Sequence, residues 1–315
     1  MAELVTSCFK RVTMFLRASG LIYERLYLIT LGATCRYAIV AEHGDVALSD
    51  PGASVHVGAL KERFDRLKLP FTNLRKVFVT HLDADRVAGI PLLRKLVPSL
   101  KVYGTAAMHT QLADTSFVKT LYEKDQNLSA TLGSSQAEIL SFDEFSKGLK
   151  IDKHLVETDS IQIDEDITIR SISTPGHRPH SVAYLVVPHE FAIVDETFGY
   201  FQGSNLAAPG GDMNLHEALA SIRKFNDIQL NGIGFSYAGA VTGALAKRHL
   251  LAIPQNTEDL IKEVTKARRD GFIETEIEEQ VRAAFYSSSS HDRCHAESLE
   301  NTFTAVMKQL SKLTN

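Results

Sequence analysis

Residues 80–89 read THLDADRVAG and put an imidazole and two carboxylates, His81, Asp83 and Asp85, on alternate positions behind the apolar run KVFVT. Within a strand successive side chains point to opposite faces, but the turn beyond it can bring residues i, i+2 and i+4 around one centre. Imidazole nitrogen and carboxylate oxygen ligate Zn²⁺, Fe²⁺ and Mn²⁺, so the spacing admits a metal site. Taken alone it is equally a charged turn that closes a strand. Three further segments place polar groups beside apolar runs: Asp50-Pro51-Gly52, the stretch STPGHRPHS at 173–181 containing His177, and FAIVD ending on Asp195.

Strands must deliver all four segments to one place. LYLITLG, RYAIVAE and DVALSD, between residues 26 and 50, read as three strands rich in β-branched and aromatic residues. Leu60, Phe64 and Leu67 follow at helical spacing, KVFVT and KVYGT are strands, and Pro91 opens a short helix between them. From about 106 to 155 the pattern is helical and loop-like. Strand patterns resume in SIQIDEDITIRSIST, SVAYLVVP and EFAIVD, a Gly-rich loop spans 199–212, and a helix follows over 214–226. GIGFS is a further strand, and helices dominate beyond 243. Such alternation predicts helices flanking sheets, in one domain without an internal repeat or a linker.

The chain has 315 residues, 44% of them apolar, which is enough for a sizeable core. Its formal charge of -4 leaves no dominant attraction to nucleic acid or anionic lipid; the cluster Lys266, Arg268, Arg269 reads as a solvated helix face. Cys8, Cys35 and Cys294 are too few and too scattered for a disulfide framework. The run VTMFL, closed by Arg17, is too short for a signal peptide, and no stretch is long enough to span a bilayer. A cytoplasmic protein acting on a small molecule is expected, without nucleic acid or membrane; a homodimer stays open.

In order, DPG, THxDxDxxxG, TPGHxPHS and a strand ending in Asp resemble the metallo-β-lactamase superfamily over residues 26–245. The resemblance implies an α+β, four-layer αβ/βα sandwich over residues 1–245, with a helical insertion at about 106–155. Residues 246–315 would be a helical extension of the same domain. It also implies a metal site where strand ends meet. The family pattern HxHxDH becomes His81, Asp83, Asp85 and Arg86; His177 and Asp195 match the later ligands, and Tyr237 stands where the last histidine belongs.

By this correspondence one metal position keeps a complete set, His81, Asp83, His177 and Asp195. The other, Asp85, Arg86, Asp195 and Tyr237, has lost both imidazoles. Arginine offers no lone pair to a metal. One divalent ion per chain, Zn, Fe or Mn, is therefore expected, with the extra carboxylate favouring Fe²⁺ or Mn²⁺ over a His-rich zinc site. The implied activity is hydrolysis of an ester, thioester, lactone or phosphoester by a metal-bound hydroxide. Asp85 would orient that nucleophile and accept its proton, while Tyr237 or Arg86 stabilises the oxyanion. Asp83 also resembles the carboxylate of the iron-binding flavodiiron branch, so an iron-dependent redox enzyme is the second reading. A non-catalytic binding protein on a decayed enzyme fold is the third.

Other clusters carry less. His291, Cys294 and His295 lack a fourth ligand, and the glycines 232, 234 and 239 do not make a nucleotide fingerprint; His180 could support the ligands, and Asp212 and His216 on the rim of the cleft could approach the substrate, but turns, caps and exposure explain them as well.

Overall fold

The segment SVAYLVV shows why the protein is layered. Val182, Tyr184 and Val186 pack into one buried cluster, whereas Ala183 and Leu185 pack into a second. A strand apolar on both faces must lie between two layers. The computed structural model, which describes residues 13–132, 140–201, 207–286 and 293–313, contains two seven-stranded sheets that meet this requirement.

The first sheet runs β2 (Gly20–Tyr23), β3 (Leu26–Leu31), β4 (Thr34–Val40), β5 (Val46–Ser49), β6 (Leu74–Phe78), β7 (Lys101–Thr105) and β8 (Lys153–Leu155) in chain order. The second is ordered β1 (Phe15–Leu16), β16 (Ala240–Thr242), β15 (Gly232–Gly234), β12 (Phe191–Ile193), β11 (Val182–Val187), β10 (Thr168–Ser173) and β9 (Ser160–Gln162). A ribbon of β13 (Tyr200–Phe201) and β14 (Ala207–Ala208) lies outside both. The sheets face each other through ring pairs: Phe78 meets Tyr184 at 5.4 Å and Tyr37 meets Phe191 at 5.5 Å between centroids.

Helices close the outer faces. Helix α1 (His56–Arg66) contributes Val57, Leu60 and Phe64 to the first cluster. Two short helices follow, α2 (Ala84–Val87) and α3 (Ile90–Leu96), the second with Pro91 in its first turn as expected. The insertion supplies α4 (Ala106–Leu112), α5 (Thr115–Leu132) and α6 (Phe142–Gly148). On the second sheet, α7 (Leu215–Arg223) and α8 (Ala244–Arg269) bury Ile222, Ala246, Leu250 and Ile253 against Ile233 and Val241. The expected α+β sandwich with carboxyl-terminal helices is the fold observed.

Beyond the sandwich, α9 (Glu274–Val281) and α10 (Arg293–Leu313) form a third cluster, in which Leu299, Phe303 and Val306 pack with Leu260 and Val264 of α8. Tyr200 and Tyr237 belong to the same cluster, so these helices reach the strand ends. The 106–155 segment differs from its mostly helical expectation at its end, where β8 pairs in parallel with β7. β1, β8 and β16, of two or three residues each, are too short to show a period of two. No described helix is long and apolar enough to cross a membrane.

Candidate metal centre

His81 stands just beyond β6, and its tautomer follows from the hydroxyl beside it. Thr80 donates its backbone N–H to Asp50 Oδ1 at 2.8 Å and its hydroxyl to Asp50 Oδ2 at 2.7 Å. With its hydrogen so committed, Thr80 Oγ1 accepts from His81 Nδ1 at 3.0 Å. The lone pair of His81 is left on Nε2, which is buried and has no hydrogen-bond partner. Asp50 is held in turn by the DPG corner. Gly52, at φ +98°, donates to Arg86 O at 3.0 Å and accepts from Gly89 N at 2.7 Å, tying the corner to α2. A Cβ there would lie 2.1 Å from Arg36 Nη2, so this position requires glycine.

Three other ligand atoms surround that orphaned nitrogen. Asp83 Oδ2 and Glu196 Oε2 each lie 3.7 Å from His81 Nε2. His177 Nε2 is 3.3 Å from the Asp83 oxygen and 3.8 Å from the Glu196 oxygen. Four ligands held tetrahedrally at about 2.0–2.2 Å from one ion are separated by about 3.3–3.6 Å. The four spacings lie within about half an ångström of such edges, and the ligand atoms of His81, His177 and Glu196 all lie within 4.8 Å of one another, so these three could hold one divalent cation with Asp83 beside them. His81, His177 and Glu196 are all buried, which leaves water little part in satisfying them.

The sequence pattern pointed to Asp195 as the carboxylate from the second sheet; among the described residues the acidic member of the group that could hold an ion is its neighbour Glu196. Asp195 lies on the Nδ1 side of His81, its Oδ2 3.9 Å from that nitrogen. Ser181 donates its hydroxyl to Asp195 Oδ2, and Thr197 N donates to Oδ1 at 3.1 Å. Asp195 caps the single 3-10 turn Glu196–Phe198, and that turn swings the next side chain toward the histidines. The adjacent acidic pair was visible in the sequence; which member faces inward depends on the turn.

Asp83 and Asp85 flank the first position of α2 and divide between two neighbourhoods. Arg178 grips Asp83 bidentately, Nε to Oδ1 and Nη2 to Oδ2, both at 2.8 Å. Burial pushes the Asp83 carboxyl up, but His177, His81 and Arg178 together hold it well below the usual range. Asp85 instead accepts from Tyr237 Oη at 2.7 Å and lies 3.0 Å from Arg86 Nη2.

Arg86 lies beneath Asp85 and Glu196. Its side chain is wholly buried, with Nη2 3.5 Å from Glu196 Oε1, Nη1 donating to Ser236 O at 3.1 Å, and Cζ 4.5 Å from the Tyr237 ring centroid. The guanidinium stands between Asp85 and Glu196, behind the cleft surface and not on it. Its fixed positive charge compensates both carboxylates. Burial, opposed by His177 and Arg86, raises Glu196 to about 7.

His177 is delivered by the TPGH turn, whose Gly176 packs against α7; a Cβ there would lie 2.7 Å from that of Ala218. Its Nδ1 faces Asp212 Oδ2 at 3.1 Å, leaving Nε2 to face the centre. Burial disfavours the imidazolium, but Asp212, Glu196 and Asp83 overcome it and raise His177 well above its ordinary value. A field that attracts a proton so strongly attracts a divalent cation more strongly. Arg178 was missed as a site residue, and Asp212 was weighed only as a rim residue near the substrate, because their partners lie across the fold. His180 is buried and accepts from Leu82 N at 3.1 Å. His291 and the side chains of Cys294 and His295 lie outside the described residues.

Above the centre opens a cleft of about 500 Å³. Its floor includes Asp83, Asp85, His177, Arg178 and Tyr237; Asn127 and Thr131 of α5 form one wall, and Ser298 and Asn301 of α10 another. The insertion and the carboxyl-terminal helices therefore both border the site.

No protein-family model and no curated protein matches the sequence. Solved structures do match. A metallo-β-lactamase family protein from Thermus thermophilus superposes with a TM-score of 0.63 at 14% identity, over 93% of this chain and 95% of that one. An archaeal metallo-β-lactamase superfamily protein from Sulfolobus tokodaii gives 0.56 at 17% identity, over 96% and 99%. A Cronobacter sakazakii metallo-β-lactamase described by its HARLDQ motif gives 0.51 at 14% identity, over 93% and 98%. The chain therefore has the metallo-β-lactamase fold, and its strand ends assemble a site able to hold a metal ion.

Proposed function

We propose that this protein is a metal-dependent hydrolase working with a single divalent ion held by His81, Asp83, His177 and Glu196. The observation that carries the reading is the orphaned, buried Nε2 of His81 facing two carboxylate oxygens at ligand spacing. A bound ion supplies Lewis acidity and brings the pKa of water toward roughly 7. Two imidazoles and two carboxylates suit Fe²⁺ and Mn²⁺ as well as Zn²⁺.

The chain's own groups divide the remaining work. Asp85, partly exposed to the cleft, keeps a free oxygen to orient water and accept its proton, because Tyr237 and Arg86 both engage its Oδ2. The Tyr237 hydroxyl, on the cleft floor, donates to Asp85 at rest and to a developing oxyanion during attack. Arg86 contributes from beneath by holding Asp85 and Glu196 in place.

The test is turnover of an ester, thioester, lactone and phosphodiester panel by metal-loaded protein. Activity that disappears in His177→Ala together with the metal supports the reading. Bound metal without turnover on any class contradicts it. The carboxylate-rich donor set also favours an iron-dependent redox reading, which predicts a visible charge-transfer band after aerobic purification.

A further inference from the structure

The carboxyl-terminal helix α10 makes a contact that the hydrolase reading does not need. Asp212, on the loop before α7, lies with Oδ2 at His177 Nδ1, and its other oxygen accepts from Thr302 Oγ1 of α10 at 2.8 Å. The Tyr200 hydroxyl is 3.0 Å from Thr302 Oγ1 and 2.8 Å from Ser298 Oγ. With the Thr302 hydrogen on Asp212, the Tyr200–Thr302 bond takes Tyr200 as its donor, in competition with the longer bond from Tyr200 to Ser298 O at 3.4 Å, and Ser298 Oγ then donates to Tyr200. A chain of donors thus runs from Ser298 on the cleft wall to Asp212, whose other oxygen lies 3.1 Å from the imidazole Nδ1. Hydrogen bonds aligned in this way polarise one another inside a protein.

The backbone of the same loop is fixed from α10 as well. Gln309 Nε2 donates to Gly211 O at 2.8 Å and Asp212 O at 2.9 Å, while its Oε1 accepts from Leu215 N at 2.7 Å. From the other side, Met213 N and Asn214 N donate to Gly176 O at 3.0 and 3.1 Å, one residue before His177. Asp212 can shift relative to the histidine only if α10 shifts too.

We infer that Asp212, Thr302 and Gln309 are positioning residues for the metal centre, and that α10 clamps a carboxylate on His177 Nδ1 so that Nε2 is presented to the ion. The inference rests on the metal-binding reading above. The carboxylate fixes which nitrogen carries the proton and stops the ring from turning; such outer partners are worth about 10–100-fold in metal affinity. Thr302 is fully buried, so its hydroxyl has no water to serve in place of Asp212.

Zinc affinity of the full chain, measured by competition with a chromophoric chelator, tests this alongside the melting temperature of the metal-free protein. Asp212→Asn is expected to weaken zinc by about 10–100-fold. Thr302→Val should weaken it in the same direction, and Thr302→Ser, which restores the hydroxyl, should bind as the parent does. The metal-free melting temperatures of the two Thr302 variants should agree with each other. Parent-like affinity in Asp212→Asn and Thr302→Val would overturn the inference, as would equal losses in the valine and serine variants. A parent chain that binds no zinc, iron or manganese would instead remove the metal reading itself.

Discussion

Glu196 joins two neighbourhoods through its two oxygens: Oε2 faces His81 and His177, while Oε1 lies 3.5 Å from the buried Nη2 of Arg86. A carboxylate that could bridge two metal ions here bridges a metal position and a guanidinium. On the single-ion proposal, the guanidinium would carry the charge that a second ion would otherwise supply.

The choice of carboxylate can be tested by separating Glu196 from its neighbour. Glu196→Gln should lose more metal affinity than removal of an outer partner does, that is, beyond about 10–100-fold. Asp195→Asn should keep the metal and instead lose about 1 kcal/mol of stability, the usual worth of a helix cap. Isothermal titration with Mn²⁺ and urea unfolding measure the two effects; the reverse assignment would restore Asp195 as ligand.

Arg86 is predicted to act by charge. Arg86→Met leaves Asp85 and Glu196 without their cation, and urea unfolding should show a loss of about 3–5 kcal/mol. Replacing Arg86 and Tyr237 together by histidine supplies two imidazoles beside Asp85, and elemental analysis of that variant should find a second ion. A double variant that still binds one would show that Arg86 does not occupy the place of a cation.

His249 predicts acid lability away from the centre. Its Nε2 donates to Phe198 O at 2.8 Å among Phe201 and Phe235, and burial lowers its pKa from 6.5 to about 4. The folded protein thus keeps the ring neutral where the unfolded chain takes up a proton. The stabilisation is complete above pH 6.5 and is lost as the pH falls toward 4, by roughly 2–4 kcal/mol. His249→Gln keeps a donor without the titration, and its stability should fall less than the parent's across that range. Parallel curves for the two would refute the assignment.

Gly52→Ala should be among the most damaging single-methyl changes. Its φ of +98° disfavours a side chain, and Arg36, itself bonded to Pro51 O and Thr34 Oγ1, leaves no room. A loss of at least about 2 kcal/mol is expected in urea unfolding, combining backbone strain with overpacking.

Much of the architecture was legible because the strands are short runs of apolar, β-branched and aromatic residues: RYAIVAE and SVAYLVV need no partner to be recognised. The motifs before and after them named His81 and His177, two of the three residues whose ligand atoms come together in the fold. Glu196, Arg178 and the contact of Asp212 with His177 were hidden because each is selected by geometry that sequence spacing does not encode. A single capped turn decides between Asp195 and Glu196. Arg178 meets Asp83 across 95 positions, and Asp212 is set by a hydroxyl 90 positions further on. Likewise β1 and β16 pair only because Met14 N and Thr242 Oγ1, far apart in the chain, are brought within 3.1 Å.

The most direct measurement is the metal content of freshly purified full-length protein, read by elemental analysis beside an accurate protein concentration. One Fe, Mn or Zn per chain, absent from His177→Ala and from Glu196→Gln, is the predicted result. Two ions per chain would contradict the role given to Arg86, and none after reconstitution with each of the three metals would contradict the metal centre itself.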